Sequence, residues 1–180
     1  VSRLQEKGMA NERYTRTNQK LYFAGLALES WRLAQAAPAA QSQGRIMAER
    51  EACLFHLHGA LLGLCQEVAG FYRHPTMEAT SLAVLLAPEA LNEAPSPEMG
   101  ELIELAGNPE TWLARLIAEY QRLLQPPQAP RRPKQDPTLP LIEAVSLEPA
   151  EPELGLEEVE AWRESLKQTA LRFRGAMTEW

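Results

Sequence analysis

Arg50 and His56 are the residues of this chain whose types and positions invite chemistry. Both fall on a long helix that apolar spacing predicts from Gln43 to Arg73. At about 100° per residue, Ile46, Arg50, Cys53, Leu57, Leu61, Leu64, Val68 and Phe71 form one stripe of it. Ala52, His56, Gly59, Gly63 and Gly70 line the flank of that stripe. Arg50 therefore stands where a leucine belongs. A cation there has two uses: it pairs with a buried acid such as Glu29 on the preceding helix, or it holds an anionic group in a pocket shared with Tyr22 and Trp31. In the first case Arg50 is structural and His56 is a packed, hydrogen-bonded histidine.

The other reactive side chains are poorly spaced for a site. His56 and His58 are two apart and face different sides of a helix, Glu49 and Glu67 are too far from His56 to chelate with it, and His74 lies near the helix end. No metal is expected. Cys53 and Cys65 share one helix about 18 Å apart along its axis, beyond disulfide reach and without a CxxC spacing, so both read as small buried apolar residues. The row Ala52, Gly59, Gly63 and Gly70 lets another segment approach closely, either within the chain or across a dimer seam. A glycine inside a helix costs about 1 kcal/mol against alanine, so the row needs a compensating contact. The run Arg131, Arg132, Pro133, Lys134 reads as solvated linker, with a partner or RNA contact as its functional alternative.

Arginine followed four to six residues later by histidine on a helix resembles the signature of the HEPN superfamily, helical bundles that include metal-independent ribonucleases. The likeness covers Arg50 to His56 and the all-helical class. It implies that His56 serves as acid or base and that Arg50 steadies a phosphate, often in a site shared across a dimer. Glu51, directly after Arg50, departs from the small polar residue usual in that family.

The elements that position these residues are helical throughout. A first helix is predicted from Asn11 to Ala37, with Leu21, Tyr22, Phe23, Leu26, Leu28, Trp31 and Leu33 around most of its circumference, the pattern of a helix surrounded by others. Asn18, Gly25, Glu29 and Arg32 form its narrow polar gap, and Arg13, Arg16 and Lys20 read as exposed. Pro38 to Gly44 reads as a turn, and Met77 to Ala87 as a short helix ended by Pro88. Ser96–Pro97 and Asn108–Pro109 each carry the signature of an N-cap followed by proline at the first helical position. The second helix of that pair shows the stripe Trp112, Leu113, Leu116, Ile117, Tyr120, Leu123. Between Pro126 and Glu153 eight of the 14 prolines exclude a long helix, so this stretch reads as a strap along the bundle. The last helix, Leu156 to Met177, buries Leu156, Val159, Trp162, Leu166, Ala170, Phe173 and Met177, with Glu157, Glu158 and Glu160 early and Arg172 and Arg174 late, as the macrodipole favours. The expected fold is all-α, a bundle of four principal helices plus short accessory ones, with the strap at 126–153 before the last.

At 180 residues one domain suffices, and a net charge of −6 speaks against a broad nucleic-acid surface. No uninterrupted apolar run reaches the roughly 18 residues of a membrane span. A reducing cytosol suits the cysteines. There is no P-loop, Rossmann glycine pattern or nucleophile elbow, and no cofactor is expected. Residues 1–8, VSRLQEKG, read as an upstream extension or tail: Gln5–Glu6 can be encoded by a ribosome-binding sequence just before Met9, which predicts a start at Met9 and a single domain over 9–180.

From MANERYTRTNQKLYFA through EREACLFHLHGALLGLCQEVAGFYR to the closing tryptophan, the chain resembles an uncharacterised family of short helical proteins from pseudomonads and relatives. That resemblance implies a bacterial cytosolic protein of unknown function and supplies no catalytic residues. The reading that follows is a non-enzymatic bundle acting on a protein partner or on a second copy of itself, with the ribonuclease and the anion binder near Arg50 as alternatives.

Overall fold

The computed structural model describes residues 2–126 and 154–178. They form seven helices: α1 (Ser2–Gln35), α2 (Ala39–Phe71), α3 (Leu82–Leu85), α4 (Ala90–Glu93), α5 (Pro97–Gly107), α6 (Trp112–Leu123) and α7 (Leu156–Thr178), with no strand among the described residues. The all-α bundle is as expected. The segment expected as a strap lies outside the described residues over 127–153.

Several boundaries differ for local reasons. Residues 2–8, expected as an extension or tail, lead directly into α1 as helix, so α1 begins well before Asn11. The turn expected from Pro38 to Gly44 shrinks to Ala36–Pro38. Proline cannot continue α1 and pushes Ala37 out of helical geometry, whereas Ala39 and Ala40 are good helix formers and α2 resumes at once. α3 begins only at Leu82, because residues 74–79 close into turns, with Met77 N–H donating to the His74 carbonyl and Gln66 Nε2 to the Ala79 carbonyl. Ser96 caps α5 as expected, accepting from Met99 N–H at 3.2 Å. Asn108 does not cap α6; its side chain accepts from Glu110 N–H, and Thr111 takes the cap, accepting from Ala114 N–H at 3.2 Å.

α2 is the central helix. It packs on α1, α3, α5, α6 and α7, and Cys53, Leu57, Leu61, Leu64 and Val68 are fully buried. That position explains its composition: Ser42–Phe71 is the one described segment long and apolar enough, by length and composition alone, to cross a membrane, and 56% of an 18-residue window within it is buried inside the bundle. Phe71, at the helix end, is 45% exposed. The apolar face of α7 is buried as expected from Leu156 to Phe173, with Met177 partly buried. α6 buries Leu113 and Leu116 and packs Trp112, Ile117 and Leu123 against the core.

α1 departs from the expectation on one side: Leu21, Leu28 and Trp31 are buried as expected, but three others of that set are not. Three of the four residues assigned to its polar gap face α7, Glu29 being exposed: Asn18 accepts from Arg174 Nη1 at 2.9 Å, Gly25 lies under the Arg163 guanidinium, and Arg32 pairs with Glu160 at 2.9 Å. Tyr22, Leu26 and Leu33, expected inside, are 61, 44 and 65% exposed. α1 has its main contacts with α2 and α7, so it is not surrounded.

Arg174 joins three helices. Its Nε and Nη2 both donate to Glu67 on α2 at 2.8 Å, and its guanidinium lies 4.0 Å from the ring centroid of Tyr14 on α1. The two charged side chains are only 14 and 7% exposed. Arg172 fastens α7 to Glu101 on α5, so these late bases serve ion pairs; neither lies in the last turn, where the macrodipole acts.

The glycine row is filled from α1. Lys20 covers Gly59, Thr17 covers Gly63 and Arg13 covers Gly70. A Cβ at Gly63 would stand 2.5 Å from Thr17 Oγ1, a short side chain that cannot swing away, whereas at Gly59 it would meet the flexible Lys20 stem at 3.2 Å. Gly63→Ala should therefore lower stability by about 1–2 kcal/mol despite alanine's helix preference, while Gly59→Ala stays close to neutral; urea denaturation of both variants tests this. In the same assay Glu67→Gln, which strips the counter-charge from a mostly buried guanidinium, should cost about 3 kcal/mol, and Glu67→Leu with Arg174→Met should recover most of that loss.

Candidate functional site

Arg50 and His56 both lie on α2. Arg50 is half-buried on α2 and engaged in contacts of its own. His56, six residues on, is turned about 120° around the helix, toward α1. Its ring meets Phe23 and Phe55 edge-on, each with centroids 5.3 Å apart. The charges that act on it are those of Lys20 and Arg16. The pocket expected around Tyr22, Trp31 and Arg50 is not assembled. Tyr22 and Trp31 are nine residues apart, half a turn out of phase on a helix, and they point respectively to solvent and into the core, where Trp31 is 2% exposed.

The remaining histidines also go separate ways. His58 stacks on Tyr120 of α6, centroids 3.8 Å apart. His74 Nδ1 accepts from Thr76 N–H at 3.1 Å, so its proton is on Nε2, which donates to the Ala90 carbonyl at 2.7 Å. That histidine pins the α2–α4 connection. The same region holds a Schellman cap: Arg73 N–H donates to the Gly70 carbonyl and His74 N–H to the Ala69 carbonyl, with Arg73 in the left-handed region at φ 54°. Cys53 and Cys65 are fully buried, and burial pushes each thiol up to about 12, so neither supplies a nucleophile near neutrality. Ala52 packs against the core, and Gly59, Gly63 and Gly70 are covered within the chain. Arg131, Arg132 and Lys134 lie outside the described residues.

What the fold does bring together is a basic and aromatic cluster at the α1–α2 seam, which the sequence reading missed. Lys20, expected at the surface, is 8% exposed because its stem lies in the notch left by Gly59, and its Nζ sits 4.4 Å from the ring centroid of Phe55. Arg16 is one turn before it and donates to Gln19 Oε1. A shallow groove of about 230 Å³ lined by Glu12, Thr15, Arg16 and Gln19 lies on the surface of α1 at Arg16. His56 Nδ1 is buried and has no hydrogen-bond partner. The signal available in sequence was the i, i+4 pair Arg16–Lys20 opposite a glycine on the next helix.

The match that decides membership covers residues 9–180. The chain belongs to DUF6586, a family of unknown function. No curated protein and no solved structure matches it. Family membership extends over both helices of the basic cluster and over α7, and assigns a role to none of their residues.

Electrostatics gives the cluster a pH signature. Burial, then the positive charges of Lys20 and Arg16, hold His56 below the usual 6.5, and burial alone does the same for His58. For a histidine with a lowered folded pKa, the unfolded chain binds more protons between that value and 6.5. Stability should thus rise with pH across that window and be lost as the pH falls through it. NMR titration of the ring protons should show both midpoints below 6.5, and His56→Gln should flatten the pH dependence of Tm there; a His56 midpoint at or above 6.5 contradicts this.

Proposed function

We propose that this protein is a non-enzymatic helical scaffold that works by macromolecular contact through the outer face of α1, with a second copy of the chain as the partner. One observation carries the reading: Tyr22, Leu26 and Leu33 lie exposed within an arc of about 40° of α1, on the side away from Thr17, Lys20 and Ala24, which touch α2. Large apolar side chains left bare in a row are a contact surface. Their positions belong to the series Thr15, Gln19, Tyr22, Leu26, Glu29, Leu33, whose alternating steps of four and three are those of a coiled-coil seam, and such a seam is complementary to itself. Phe55 and Met47 on α2, 51 and 45% exposed, add apolar area on the adjoining helix. The two unpaired cysteines suit a reducing cytosol.

Chemistry is less well supported. His56 and Arg50 stand about 120° apart around α2, the thiols are buried, and among the described residues no group of three histidine, cysteine or carboxylate side chains is placed to hold a metal. Sedimentation velocity should therefore show a concentration-dependent dimer that Leu26→Glu with Leu33→Glu converts to a monomer without lowering Tm. A wild-type protein that stays monomeric at high concentration overturns the proposal.

A further inference from the structure

The α1–α2 seam carries an unbalanced charge. Elsewhere in the bundle Arg174 has Glu67 to meet, Arg13 has Glu78, and Arg163 donates to the Leu21 carbonyl at 2.9 Å. Lys20 instead carries its ammonium group over the Phe55 ring, and no carboxylate among the described residues bonds to it. Arg16 lies one turn away on the same helix, and like charges at that spacing repel. A cation in poor contact with water and beside a second cation is costly unless an anion joins them. His56, its Nδ1 buried and unsatisfied, lies beside the pair as an aromatic neighbour.

Its surroundings are aromatic. Tyr22 and Phe23 lie 6.2 Å apart, Phe23 meets His56, and His56 meets Phe55, so a row of rings crosses the seam from one helix to the other. Tyr22 and Phe55, the ends of that row, are 61 and 51% exposed. Cations beside exposed ring faces suit a ligand that has an anionic group and a flat ring together.

We propose that Arg16 and Lys20 hold the phosphate group of a nucleotide, whose base lies on the exposed Phe55 end of the aromatic row, beside His56. The two cations answer the phosphate charge, and the groove beside Arg16 and Gln19 leaves access from solvent. Glu12 lines that groove one turn before Arg16, so the phosphate sits on the other side of Arg16, toward Lys20 and away from the carboxylate. The source of the nucleotide is either free mononucleotide or a residue in a single strand of RNA. The inference goes beyond the contact surface on α1 but shares Phe55 with it, so a second copy and a bound base compete for that ring.

Calorimetry and amide NMR with adenosine monophosphate, adenosine and inorganic phosphate test it on the full chain. The monophosphate should bind, with shifts centred on Phe55 and His56, adenosine should bind at least tenfold more weakly, and phosphate alone should perturb the same residues at higher concentration. Arg16→Gln and Lys20→Met should each weaken binding about tenfold, about 1.4 kcal/mol. Lys20→Met keeps the stem that fills the Gly59 notch, and an unchanged Tm shows that both variants fold. Tighter binding of a short oligoribonucleotide than of the monophosphate identifies a strand as the source, and equal binding identifies the free nucleotide. Equal affinity for adenosine and its monophosphate, wild-type affinity in both folded variants, or no binding at millimolar concentration overturns the proposal.

Discussion

The contact between Glu67 and Arg174 is the constraint on which the rest of the bundle depends. α7 does not inherit its place from a short loop, since its chain enters from the far side of a long proline-rich stretch. Its position must be written in side chains. An apolar stripe alone specifies burial but leaves sliding along the axis cheap, because one leucine replaces another a turn away. The bidentate pair ends that freedom: a guanidinium mostly withdrawn from water has one carboxylate to meet, and any other register strands it. Asn18 and Tyr14 surround the same guanidinium from α1, so one side chain sets α7 against both helices of the hairpin. Arg163, Arg32 with Glu160, and Arg172 with Glu101 repeat the same alignment along the helix.

This arrangement explains why α1 turns its polar side inward. The face carrying Asn18, Gly25 and Arg32 is needed for the polar teeth of α7, and Gly25 is small because a Cβ there would stand 2.8 Å from Arg163 Nη2. A seam built of arginines against amides, carbonyls and a glycine has no use for leucine. The apolar side chains of α1 are therefore divided: Leu21, Leu28 and Trp31 go to the core, while Tyr22, Leu26 and Leu33 are displaced to the outside. Hydrophobic periodicity measures how much of a helix wishes to be covered and cannot state by what. Where two polar faces satisfy each other, the periodicity points the wrong way.

The same limit separates what could be read in advance from what could not. The helices, the stripe of α7 and the Ser96 cap follow from spacing and from one residue's hydrogen bonding, and all are local properties. Asn108 misled because asparagine closes an Asx turn as readily as it caps a helix, and Thr111 was better placed to meet Ala114 N–H. The glycine row was recognised as a place of close approach, but not what approaches: long side chains laid flat in notches, with Lys20 withdrawn from water as a result. A basic residue near the start of a helix reads as solvated until the surface across from it is known. That is why the cluster of Arg16, Lys20 and His56 appears only in three dimensions, whereas Arg50 drew attention in one.

The sequence distance spanned by α7 also sets the order in which the bundle forms. α1 and α2 are joined by a three-residue turn and close on each other locally, but Arg174 and Asn18 are 156 residues apart. Closing that loop carries a large entropic penalty before any contact rewards it. On the ribosome α7 follows the hairpin, the accessory helices and the whole proline-rich stretch. The newborn chain thus passes through a period in which the hairpin is folded, Glu67 has no guanidinium, and the groove that will receive Trp162, Leu166 and Phe173 is open to water. Chaperones and proteases would meet that half-built hairpin, and the rate at which α7 arrives decides how long they have.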